Sequence, residues 1–168
     1  MMRSYTISFL ILISVVLFET AILSNIFILP AMPDLVLLCT LYFAYENGKT
    51  FGEVNAFFSG LLLDFLSGAP LGFNAFFRTL IAYLMGIFSH AFSFDTIFMP
   101  LLSAFLGTLS KFAFVFVLSI LFPRLNVHYE IFSLPVLFEL LMNVFLCPFV
   151  FRFLKIFSIK KYKEHSEN

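Results

Sequence analysis

The run Gly60-Leu61-Leu62-Leu63-Asp64-Phe65-Leu66-Ser67-Gly68-Ala69-Pro70-Leu71-Gly72 decides the architecture. Up to Ser67 it is apolar apart from one acid. It then breaks, because Gly68, Pro70 and Gly72 are turn punctuation. The apolar pattern resumes at Phe73 and continues to Phe92, so the stretch reads as the tip of a hairpin between two apolar helices. The same alternation repeats outward in both directions. Pro30-Ala31-Met32-Pro33-Asp34 and Glu46-Asn47-Gly48-Lys49 make two more turns, and the longest polar loop runs from Pro123 to Glu130. This punctuation predicts six helices in one polytopic domain spanning 1–168, at about 5–29, 34–45, 50–67, 73–92, 96–122 and 133–156, with a basic tail at 157–168. The second is short for a full membrane span.

Composition leads to the same class. Of 168 residues, 61% are hydrophobic and 12% charged, and the mean hydropathy is +1.03. A soluble domain carries roughly twice that charged fraction. Too little polar surface exists to coat such a chain in water, so the expected fold is an all-α integral membrane protein. Net charge is zero, which removes the electrostatic footprint of a nucleic-acid binder. Cys39 and Cys147 lie in apolar stretches without metal or redox spacing, and read as small buried hydrophobes. The segment from Tyr5 to Leu29 is longer than the apolar part of a signal peptide and lacks a small-residue cleavage site, so it reads as a retained helix.

An even number of spans puts both termini on one side. Arg3, Lys49, Arg152, Lys155, Lys160, Lys161 and Lys163 fall on that side and only Arg124 on the other. The positive-inside rule therefore expects both termini in the cytoplasm, with the turns at Asp34 and Gly68–Gly72 and the Arg124–Glu130 loop facing outward.

Five ionisable residues remain inside the helices: Glu19, Asp64, Arg78, Lys111 and Glu139. A charge near the bilayer centre costs about 2.5–3.5 kcal/mol, so each needs a compensating environment. At 1.5 Å per residue, Glu19, Asp64 and Lys111 lie roughly 21 Å from the inner end. Arg78 and Glu139 lie about 9 Å from the outer end, which is the same level in a core of about 30 Å. A common polar layer in the outer third is expected, with Asn143 one turn from Glu139. Four of the five sit on small or polar stripes: Gly52, Ala56, Gly60, Asp64; Asn74, Arg78, Ala82, Gly86; Ser103, Gly107, Lys111; Glu139, Asn143, Cys147. Such stripes let helix backbones approach and should face the bundle interior. Glu19, flanked by Val15 and Leu23, is the exception.

Asp64 and Arg78 flank one tight turn and are expected to pair. Lys111 and Glu139 flank the next outward loop and pair in the same way. Glu19 is then a third acid, which is neutral, joins one pair, or faces a crevice open to water. Two readings stand: structural ion pairs tying hairpins together, or a polar cavity or partner-docking site opening outward. Enzyme chemistry finds no foothold. His90, His128 and His165 lie in loops or the tail without companion ligands or nucleophiles, and no phosphate loop or zinc motif occurs. No metal or cofactor is implied. Arg152, Lys155, Lys160, Lys161 and Lys163 suit contact with anionic lipid or a cytoplasmic partner, or simply anchor topology.

Pro33-Asp34-Leu35-Val36-Leu37-Leu38, the run from Gly60 through Asp64, Gly68, Pro70 and Leu71 to Gly72, and Arg78-Thr79-Leu80-Ile81-Ala82-Tyr83-Leu84-Met85-Gly86 together resemble the MreD family of rod-shape-determining proteins. The resemblance covers nearly the whole chain. It implies a non-enzymatic scaffold of the elongasome, the machinery of lateral peptidoglycan synthesis that maintains cell shape. The implied partners are the bitopic protein MreC, the MreB filament, the elongasome glycosyltransferase and class B penicillin-binding protein, and membrane lipids. The helix layout is also similar to that of substrate-binding membrane subunits of energy-coupling-factor vitamin transporters. Those carry an Ala-x-x-x-Ala surface on the first helix, whereas the first segment here has only Ala21.

Overall fold

The computed structural model describes residues 2–25, 30–91, 98–121 and 133–157, and all regular structure among them is helical. The helices are α1 (Met2–Ala21, followed by a 3-10 turn at Leu23–Asn25), α2 (Leu35–Asn47), α3 (Lys49–Ser67), α4 (Phe73–Ala91), α5 (Phe98–Leu121) and α6 (Leu134–Ile156). Regular α1 gives way to the 3-10 turn after Ala21, and 26–29 of the expected first helix lie outside the described residues. Side chains of Thr20, Ser24 and Asn25 bond back to the carbonyls of Val16, Thr20 and Ala21, offering the backbone an alternative to further helix.

α2 is the axis of the bundle. From Val36 to Ala44 no residue is more than 5% exposed, and α2 packs against all five other helices. A helix apolar on every face is one that must be covered on every face. The others stand around it in the order α1, α3, α4, α5, α6; among the described residues α1 and α6 do not approach each other. Its 13 residues measure about 20 Å, so α2 reaches through only part of a 30 Å hydrocarbon layer. The expected bounds shift here by a residue or two. Asp34 stands outside the helix as its N-cap, and the helix runs on to Asn47. There Gly48, at φ 89°, returns its N–H to the Ala44 carbonyl and lets α3 begin at the next residue.

The α3–α4 hairpin is the most closely packed pair. A Cβ on Gly60 would fall 2.6 Å from the Ala75 Cα, and one on Gly86 would strike the Lys49 backbone. Gly68, at φ 70°, turns the chain at the tip in the left-handed region.

Three helical stretches are long and apolar enough to cross a membrane: Arg3–Asn25, Phe98–Leu121 and Leu134–Ile156. Leu35–Asn47 and Phe73–Phe88 are shorter apolar helices. α3, which carries Glu53, Asn55 and Asp64, falls in neither group. The outer surface is apolar, with Leu10, Phe18, Phe65, Phe76, Phe145 and Phe153 all exposed. Asp34, Asp64, Arg78 and Glu139 are buried in the interior instead, the reverse of a soluble domain.

Candidate functional site

Asp34 precedes a largely apolar helix, and its Oδ1 caps that helix by accepting the Leu37 N–H at 2.8 Å. Because α2 is short, the cap lies within the bundle, and Asp34 is 3% exposed. An uncompensated carboxylate there would be strongly unfavourable, and cations from two other helices meet it. Arg78 of α4 donates Nη1 to Oδ1 at 2.8 Å and Nη2 to Oδ2 at 3.0 Å, a bidentate contact. Lys111 of α5 donates Nζ to Oδ2 at 2.8 Å and also to Glu139 Oε1 on α6. Asn143, one turn beyond Glu139, accepts the Asp34 backbone N–H at 2.8 Å and donates to Thr108 Oγ1 on α5 at 3.1 Å. Glu19 of α1 accepts the Val36 N–H at 3.1 Å. Among the described residues every helix except α3 thus contributes to one cluster of three carboxylates and two cations. The exposed N–H groups and dipole of the α2 N-terminus add positive potential to it.

The cluster joins Glu19, Arg78, Lys111, Glu139 and Asn143 from the expected polar layer, but corrects its pairing. Asp64 is not the partner of Arg78. Its carboxylate accepts N–H groups of Gly72 and Asn74 at 2.9 Å and of Ala75 at 3.4 Å, and the Asn74 side-chain amide at 2.9 Å. These are the orphan donors around the first turn of α4, directly across the hairpin from Asp64. Arg78 lies a turn deeper and faces α2, where Asp34 waits. The Lys111–Glu139 contact is present, with Lys111 shared between Glu139 and Asp34.

Asp34, expected only as a turn and motif residue, is the buried hub of the cluster. A usable signal was in the sequence: an acid immediately before an apolar helix too short to span must sit at depth. Thr108 and the fully buried Asn47 were not singled out either. Asn47 has neither amide atom hydrogen-bonded, and its type alone gave no reason to notice it. Of the motif residues, Pro33, Gly60 and Asp64 are buried, while Gly68, Pro70 and Leu71 are exposed at the hairpin tip beside half-buried Gly72. Arg152 and Lys155 are exposed on the last turns of α6. Lys160, Lys161, Lys163, the Arg124–Glu130 loop and His165 lie outside the described residues.

The cluster's polar groups are spent largely on one another. Among the described residues no three His, Cys, Asp or Glu side chains are grouped to hold a metal ion. A cavity of about 390 Å³ opens elsewhere, between α4 and α5, lined by Leu41, Ile81, Met85, Phe88, Leu102 and Gly107 among others. Its wall is apolar. No curated protein and no solved structure matches the chain. A family model described as rod shape-determining protein MreD matches residues 2–157, and the chain therefore belongs to the MreD family, a family of membrane proteins that determine rod shape.

Proposed function

We propose that this protein is a six-span scaffold of the elongasome in the bacterial cytoplasmic membrane, with both termini in the cytoplasm. In this reading it is not an enzyme. It supports lateral peptidoglycan synthesis by holding MreC and the glycosyltransferase and class B penicillin-binding protein against its helices, with MreB filaments on the cytoplasmic side. One observation carries the reading: charged side chains of α1, α4, α5 and α6 gather around Asp34, which locks the bundle and leaves an apolar outer wall for lipid and partner helices. The weighting of basic residues toward the terminal side supports the orientation.

The vitamin-transporter alternative has weaker support. A solute site needs polar groups held open to the ligand, and here they are mostly consumed by internal bonds, while the cavity is apolar. Depletion in the native cell separates the two readings. A scaffold predicts rounding of rods, with MreC co-purifying from detergent. Rods that persist and acquire a vitamin requirement would overturn it.

A further inference from the structure

Among the described residues the ring of helices around α2 is continuous except at the seam between α1 and α6. Along one half of that seam α2 reaches out to α6: the Tyr42 ring meets Phe151 at 5.2 Å between centroids, and Tyr45 meets the same ring at 6.3 Å. Two turns along α2 from Tyr42, on the same face, Leu35 is only half-buried. There α1 brings in Glu19, also half-buried, with Val15 half-buried and Phe18 and Ile22 exposed beside it. Glu19 Oε2 takes the Val36 N–H, and among the described residues Oε1 takes no hydrogen bond. Asp34 and Glu139 are in ion pairs with Arg78 and Lys111. Among the described residues Glu19 has no cation in bonding contact, so the described part of the cluster holds one acid more than its bases and presents it at the gap in an apolar wall.

We propose that the outer half of the α1–α6 seam docks a single transmembrane helix of another protein carrying an arginine or lysine at the level of Glu19. The inference rests on the scaffold reading and names the surface and chemistry of one partner. Charge complementarity selects this occupant. A cation at that depth needs a carboxylate, and Glu19 offers an open oxygen to one. A lipid tail would leave the surplus acid unmatched, and lipid headgroups lie outside the hydrocarbon layer. The pair would balance the cluster at three acids against three bases.

The full-length protein in phosphatidylethanolamine–phosphatidylglycerol vesicles, mixed with two synthetic apolar helices of about twenty residues, provides the test. One peptide carries a single Arg in its outer third and the other Leu there. Energy transfer should show the Arg peptide binding about tenfold more tightly. That preference should vanish in Glu19→Gln. A photoreactive residue replacing exposed Ile22 should label the Arg peptide, and one replacing Leu84 on α4 should not, which decides the matter even if Glu19→Gln folds poorly. Equal binding of both peptides, a preference that survives Glu19→Gln, or labelling at Leu84 instead of Ile22 would overturn the proposal. Any of these leaves the scaffold reading standing, because that reading fails only if depleted cells keep their rod shape.

Discussion

Asp34 pairs with two cations through one carboxylate, so its loss strands Arg78 in the interior and leaves Lys111 with Glu139. Breaking a buried pair by removing one partner costs about 3–5 kcal/mol. Asp34→Leu should therefore remove most of the folded protein from the membrane. Arg78→Leu should cost less, since Lys111 still faces Asp34. Asp64→Asn should be milder again, about 1–2 kcal/mol, because it weakens helix-capping bonds without leaving a cation unpaired. Protein abundance and circular-dichroism melting in detergent check the order, and an Asp64→Asn protein less stable than Asp34→Leu would contradict it. The sequence showed which residues needed partners but not which partner each had. Chain proximity pointed Arg78 at Asp64 across the turn, yet the α4 N-terminus uses Asp64 fully. Partners reached through the central helix cannot be read from spacing along the chain.

Among the elements, the α3–α4 hairpin was legible because its causes are local. Small residues four apart mark a face where backbones touch, and Gly68, Pro70 and Gly72 mark a turn. The two glycine roles predict different outcomes. Gly60→Val would drive a side chain into the Ala75 backbone and should prevent the hairpin from closing, seen as loss of monodisperse protein in size-exclusion chromatography. Gly68→Ala meets nothing within 4 Å and strains only the φ of 70°, costing about 1 kcal/mol with the fold retained. α2 was less legible. Its shortness was plain, but a short apolar run is equally consistent with a span of little tilt and a covered core helix. What distinguishes them is whether other helices surround it on all sides, which is a property of the assembled bundle.

At the scale of the whole molecule, an apolar exterior enclosing an internally bonded polar cluster accounts for a composition that water could not tolerate. Hydropathy made the class readable from the sequence, whereas the ring order and the seam between α1 and α6 depend on packing that no periodicity encodes. The proposed orientation has a direct consequence. Cys39 and Cys147 are buried and should give little background to a membrane-impermeant maleimide. Ser67→Cys at the exposed hairpin tip should label from outside the cell, and Lys155→Cys only after the membrane is opened; the reverse pattern would invert the topology. The claim on which the account turns is that Arg78 is held by Asp34 across the bundle axis. A double-mutant cycle in lipid bicelles measures that most directly, by comparing the coupling of Asp34→Leu with Arg78→Leu to the coupling of Asp64→Asn with Arg78→Leu. The structure predicts a coupling of about 1 kcal/mol or more for the first pair and less than about 0.5 kcal/mol for the second. A large coupling between Asp64 and Arg78, with none between Asp34 and Arg78, would contradict it.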